Sequence, residues 1–422
     1  MEKNLINALL AIELENFFSI KNKIRLDFRA GNIHTAAAKM LSDNVFEWNG
    51  QKILKTVGLF GPNAAGKSNI MKTINFCCRM VLDSHAHNQG IVFNFKPFKF
   101  DGWDQKPSSF YIDFVCENIE YEYSFKLTTT EILEESLYYY PNNRKAKIFE
   151  RKGSKYTFGT KGINRPAEVA NDTSSTQLYL SVASQKGRNI AKSVYLYFLQ
   201  TFLLGLVQMQ DASIENLFKQ EKKIIMKALE VCDSDICDIA VEHKKGFAPV
   251  PTPSLDGQQI GFQMQPIDIM RFHTYHRNNP NIPFDFETEE SNGTKRIFTI
   301  LIRLLDVARN KKSMMIDEFD TSMHPHLAQF VIDLVHASES SQLLFTSHNA
   351  ALIDMDRFRK DQIYFINKKV DGSTDAYSLY DFKDFRETMD ATKGYLQGRF
   401  DAVPIITSSV ATLKQLLKGG IK

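Results

Sequence analysis

The sequence predicts an α/β fold organised around a phosphate-binding loop, with an antiparallel β-subdomain and a helical insertion. Three observations carry that prediction. Residues 61–68 read GPNAAGKS, between a β-run at 53–60 and a helical stretch that starts at Asn69. Residues 313–316 form a short, mostly apolar run that ends in two carboxylates, Asp317 and Glu318. Residues 342–349, QLLFTSHN, form a second β-run that ends in a polar cluster with His348.

The loop supplies the first chemistry. Glycine, four residues, then glycine, lysine and serine is the spacing at which backbone N–H groups close around phosphate oxygens. The helix that follows turns its positive end toward the anion. Gly61, Pro62, Asn63, Ala64, Ala65, Gly66, Lys67, Ser68 and Asn69 are therefore the expected nucleotide contacts. Lys67 would reach the β- and γ-phosphates, and the Ser68 hydroxyl would ligate Mg²⁺. A flexible glycine turn would account for the glycines, but not for the lysine and hydroxyl in this order.

The carboxylate strand supplies the second. Asp317 suits the shell of Mg²⁺, and Glu318 suits polarisation of an attacking water. A strand ending in acidic residues is common alone and unusual beside a P-loop. His348 follows a strand just after that pair, which points to a γ-phosphate contact rather than a surface histidine. Upstream, ESNGTKR opens a helical run at 297–308. Ser291, Gly293 and Thr294 at that helix start make a second anion site. In an ATP-sandwich geometry each nucleotide lies between the P-loop of one subunit and the serine-glycine helix of the other.

Together these motifs resemble the ABC-type ATPase heads of chromosome-maintenance and double-strand-break-repair proteins. More closely, the chain resembles the prokaryotic AAA/ABC ATPases of abortive-infection, restriction-linked and other phage-defence operons. The resemblance covers most of the length. It rests on ENFFSI at 15–20, GPNAAGKSN, the 98–123 stretch, ESNGTKR, IDEFDTSMHP, TSHN and YLQGRFDAVP at 395–404. It implies ATP and Mg²⁺, a homo-oligomer that forms at least an ATP-dependent dimer, and control of an operon-encoded effector such as a nuclease or toxin. The motifs specify nucleotide chemistry far more than biological role. Asn292 stands where transporter signatures place glycine, and His324 stands where many ABC dimer loops have aspartate. Gln89 is the candidate for the glutamine loop.

Composition agrees with an intracellular enzyme. The 422 residues can bury a large core, and a net charge of +3 gives no strong case for nucleic acid. Cys77, Cys78, Cys116, Cys232 and Cys237 lack zinc-ligand spacing and read as reduced packing residues. The N-terminus lacks a secretory pattern. The run at 194–209 is interrupted by Gln200 and Thr201 and falls short of the roughly 20 apolar residues of a membrane span. The expected location is cytoplasmic, with no membrane partner.

Along the chain, 1–170 reads as the first half of the head, 171–245 as the helical insertion and 246–422 as the second half. Stretches 12–28 and 93–127 read as strands, mostly antiparallel. Residues 137–158 read as a hairpin turning at Pro141-Asn142-Asn143. Its Arg144, Lys145, Lys147, Arg151, Lys152 and Lys155 form the most basic patch, which leaves nucleic-acid contact open. Residues 171–242 read as helical, including 214–231. Residues 194–209 read as a buried or subunit-contacting helix, and the proline-rich 247–265 as a loop or exposed hairpin.

Four other readings compete. A nuclease fused to the ATPase needs a strand ending in an Asp-x-Asp pair after Asn349, and no β-run in that segment is read as ending in one. A GTPase needs Asn-Lys-x-Asp, but in 367–371 the aspartate falls one position late, so that segment reads as a turn. A repair-type DNA-binding ATPase or a slow-turnover scaffold differs by partner and rate.

Overall fold

The computed structural model describes residues 5–160, 162–205, 212–232, 234–253 and 260–403. Its largest sheet has seven strands. Their spatial order is Lys155–Phe158, Ala146–Lys152, Ile132–Tyr139, Ile119–Leu127, Ser108–Cys116, Ala8–Glu15 and Ile24–Asp27. Every pair is antiparallel. A second sheet has six strands, ordered Phe202–Leu204, Ser313–Ile316, Gln342–Ser347, Thr56–Phe60, Ile363–Lys368 and Thr374–Ser378. Its pairs are parallel except the last, which is a hairpin.

The six-stranded sheet is apolar on both faces because each face has its own core. Successive side chains on a strand point to opposite faces. Val57, Leu59, Met315 and Leu344 join the core shared with the antiparallel sheet and helix Lys67–Asp83. Phe60, Met314, Ile316, Leu343 and Phe345 join a second core with helices Ala212–Val231, Asn292–Arg309 and Pro325–Ala337. Strands buried on both sides read as continuous apolar runs, which is why they are visible in the sequence. Gly58 sits opposite Phe345, where a Cβ would come within 2.7 Å of its ring.

Several expectations need correction. The β-run at 53–60 is two strands. Gln51–Leu54 pairs with Val45–Trp48 in a separate ribbon, and only Thr56–Phe60 enters the parallel sheet. The break is at Lys55, whose buried ammonium donates to the carbonyls of His336 and Ser338. The helix after the loop starts at Lys67, not Asn69. The first part of 93–127 is irregular as far as Pro107. Asn16 organises it, donating to the carbonyls of Trp103, Lys106 and Pro107 and accepting from Phe98 N–H.

The stretch 171–242 is not all helix. Asn189–Leu196 runs into a wide turn at Tyr197–Thr201, and Phe202–Leu204 then becomes an edge strand beside Ser313–Ile316. Residues 206–209 lie outside the described residues. Helix Ala212–Val231 is present, but a strand begins at Ile236. That strand, Ile236–Pro253, pairs with Ile260–His276 in a long hairpin that takes in the proline-rich stretch, with 254–259 outside the described residues. Asn279–Asp285 completes this three-stranded sheet. Asn367 and Lys368 end a strand, so the turn begins only at Lys369. Cys77, Cys78 and Cys116 are buried, whereas Cys237 is exposed and packs no core. Among the described residues no helix is long and apolar enough to cross a membrane.

Candidate active site

Three neighbouring parallel strands end at one edge. Ile316 is level with Phe345, and Ser347 with Phe60. The P-loop, His348 and the Asp317-Glu318 pair therefore leave the sheet side by side. Open α/β sheets bind ligands at this carboxyl edge.

The loop needs its glycines. A Cβ at Gly61 would lie 2.2 Å from the Ile366 carbonyl oxygen, and Gly66 has φ +110°. Helix Lys67–Asp83 starts at Gly66 with no side-chain cap, so its first N–H groups have no side-chain acceptor. The buried Lys67 Nζ folds back on the loop, donating to the carbonyls of Gly61 at 2.6 Å and Pro62 at 3.0 Å. Burial lowers its pKa to about 8, against the pull of Asp317, Glu318 and Asp320. His348 Nδ1 lies 3.1 Å from the same Nζ. Burial and the Lys67 charge push the imidazole pKa down, and because an ammonium can only donate, Nδ1 accepts from it.

The carboxylates are held by residues the sequence reading did not single out. Thr346 Oγ1 donates to Asp317 Oδ1 at 2.6 Å and accepts the Glu318 N–H at 2.7 Å. Arg296 Nη2 donates to the carbonyls of Glu318 at 2.6 Å and Asp317 at 3.2 Å. Glu318 has φ +48°, unfavourable for a residue with a Cβ. The Thr346 and Arg296 bonds grip both sides of that residue's backbone and turn its exposed carboxylate out at the strand end. A polar residue closing the run QLLF, and an arginine one turn into the ESNGTKR helix, were the available signals.

Ser68 and Asp317 offer the hard oxygen donors that Mg²⁺ takes, with Thr346 occupying one oxygen of Asp317. Among the described residues no three His, Cys, Asp or Glu side chains converge as a cage. This donor set suits a cation that draws its remaining ligands from phosphate and water.

The other predicted anion site is a helix start that caps itself. Ser291 caps helix Asn292–Arg309, its Oγ accepting Thr294 N–H at 3.1 Å and lying 2.8 Å from Thr294 Oγ1. Among the described residues neither side chain bonds to the P-loop. A Cβ at Gly293 would come within 2.9 Å of the Ser322 carbonyl oxygen, so the helix start rests on the turn after the carboxylates. The Asn69 side-chain amide donates to Ser19 Oγ at 2.7 Å. His324 caps helix Pro325–Ala337, accepting from His326 N–H. Gln89 lies exposed on a turn.

A family model described as "AAA domain, putative AbiEii toxin, Type IV TA system" matches residues 57–354. The chain belongs to this family. The matched region is an AAA domain. No curated protein matches the sequence. The chain is similar to the SMC head domain from Thermotoga maritima, at 13% identity and TM-score 0.38, covering 88% of this chain and 98% of that one. It is also similar to the Smc head domain with an extended coiled coil, bound to the C-terminal domain of ScpA, derived from Pyrococcus furiosus. That match has 13% identity and TM-score 0.39, covering 88% of this chain and 96% of that one.

Proposed function

We propose that the chain is an ATP-hydrolysing switch whose sites are completed between two copies, and that it governs a separate effector in phage defence. One observation carries the reading. The P-loop, His348 and the Asp317-Glu318 pair share one sheet edge, while the start of helix Asn292–Arg309 is self-capped and, among the described residues, its Ser291 and Thr294 side chains make no bond to that loop. A second copy would supply its Ser291, Gly293 and Thr294 to the γ-phosphate.

In this reading the loop N–H groups and Lys67 hold the phosphates, and Glu318 takes a proton from the attacking water. His348 contacts the γ-phosphate. Mg²⁺, held by Ser68 and Asp317, would neutralise charge on the phosphates. The family description supports the abortive-infection setting. The basic hairpin gives little to a DNA-binding alternative. Lys145 pairs with Glu122, Lys147 with Glu150 and Lys152 with Glu134. Arg151 is buried on the carbonyls of Gly153, Gln177 and Ser174.

Glu318→Gln tests the reading. It keeps size and removes the base, so ATP turnover should fall ~10²–10⁴-fold while ATP binding survives. The variant should then accumulate an ATP-bound dimer by light scattering. Wild-type turnover in Glu318→Gln would overturn the assignment.

A further inference from the structure

Behind the P-loop lies a chain of hydrogen bonds whose direction is fixed at both ends. Asn69 Nδ2 can only donate, and it lies 2.7 Å from Ser19 Oγ. The Ala65 carbonyl can only accept, and it lies 2.9 Å from Thr374 Oγ1. The Ser19 and Thr374 hydroxyls are 2.7 Å apart. Because Thr374 gives its hydrogen to Ala65, it must accept from Ser19. Ser19 in turn accepts from Asn69. The order is Asn69 to Ser19 to Thr374 to Ala65.

We infer that Ser19 and Thr374 are positioning residues for nucleotide binding, through the Ala65–Gly66 peptide. This rests on the P-loop reading above. A trans peptide is planar, with its C=O and N–H pointing opposite ways. Pinning the Ala65 carbonyl to the rear of the loop aims the Gly66 N–H into its concave side, where a phosphate oxygen would sit. The two hydroxyls lie against Gly66 itself. A Cβ there would fall 1.9 Å from Thr374 Oγ1 and 2.9 Å from Ser19 Oγ.

The relay is anchored on its own account. Thr374 N–H donates to the Ser19 carbonyl at 2.7 Å. Asp371 accepts from the Ser373 N–H and hydroxyl, and also takes Lys21 Nζ at 2.9 Å. This ties the turn before Thr374 to the segment after Ser19. Ser19 and Thr374 both lie outside the 57–354 span matched by the family model.

Thr374→Val removes the hydroxyl and keeps a β-branched shape suited to its strand. Losing one buried hydrogen bond should raise the ATP dissociation constant roughly 3- to 10-fold. The rate at saturating ATP should stay within about twofold, since nothing in the relay touches Glu318. Thr374→Ser retains the donor and should restore affinity. Calorimetry with Mg²⁺–ATP, with Lys67→Ala as the control, separates the outcomes. If wild type does not bind ATP, the nucleotide reading fails and this inference falls with it. If wild type binds, Lys67→Ala binds about tenfold or more weakly, and Thr374→Val binds like wild type, the relay alone is wrong. Equal losses in Thr374→Val and Thr374→Ser, or a rate falling in step with affinity, would mark a packing role and also overturn it. Should Thr374→Val misfold, Ser19→Ala breaks the middle of the chain and must show the same split.

Discussion

Two helices in this chain start where an anion is expected, and they start in opposite states. Helix Lys67–Asp83 begins at a glycine with no side-chain cap. Helix Asn292–Arg309 begins at Ser291, whose hydroxyl already takes the Thr294 N–H. The open start depends on residues brought from far along the chain, including Thr374 behind it and His348 beside it. The capped start takes its cap from its own first turn. The difference separates a site that must be shaped to hold a ligand from one that can stand exposed until a ligand arrives. Ser291 can keep its cap and still bind, because accepting an N–H leaves its own hydrogen free to be offered to a phosphate.

The largest effect expected from this contrast is at the open start. Lys67→Ala removes the cation that lies folded on the Gly61 and Pro62 carbonyls. Hydrogen bonds to charged groups contribute about 1.5–3 kcal/mol, so ATP affinity should fall ~10- to 100-fold by calorimetry. Affinity within twofold of wild type would mean that this start is not where phosphate binds.

A smaller and sharper effect is expected at the capped start. Aspartate caps a helix as well as serine does, whereas alanine costs about 1 kcal/mol. Ser291→Asp should therefore unfold at the wild-type temperature, and Ser291→Ala somewhat lower. Only the aspartate sets a negative charge against the partner's nucleotide. Like charges so placed cost several kcal/mol, so turnover should fall about tenfold or more while ATP binding to the P-loop is kept. Wild-type turnover in Ser291→Asp would remove this helix start from the site.

What was legible in the sequence follows the same contrast. The strand Ser313–Ile316, the run ending at Ser347 and the Ser291 cap are local signals. Burial on both faces, or one turn of helix, writes them into adjacent residues. The supports of the open loop are not local. Ser19 stands in a quoted motif, but its partner Thr374 is recognisable only once strand Thr374–Ser378 lies at the sheet edge. The same reason hid Phe202–Leu204, three residues made a strand by pairing with Ser313–Ile316. It also hid the break at Lys55, which is set by carbonyls of the distant helix end at His336 and Ser338. Glu318's left-handed backbone leaves no mark in composition, because Thr346 and Arg296 impose it.

The smallest effect tests how far the capped start is independent of its surroundings. Glu290, the residue before Ser291, accepts from Thr274 Oγ1 and lies 3.0 Å from His276 Nε2. His276 Nδ1 lies 3.0 Å from Asp235. A histidine between two carboxylates donates from both nitrogens only when protonated. Burial opposes that charge, but Asp235 and Glu290 outweigh it and raise the pKa above its ordinary 6.5. The sign follows from linkage. A raised folded-state value gives stability that is complete below about pH 6.5 and lost as pH climbs through the folded pKa. His276→Gln keeps a hydrogen-bonding side chain without the charge. The pair is partly solvated, so the difference should be below about 1 kcal/mol, a shift of roughly 1–2 °C in Tm. Thermal melts at pH 6 should show wild type ahead of His276→Gln, and the gap should close by about pH 9. A gap that is constant with pH would mean that His276 is not charged in the fold. A gap that widens as pH rises would mean that the neutral ring is what braces Glu290, and that the helix start at Ser291 is tied to the hairpin without any electrostatic contribution.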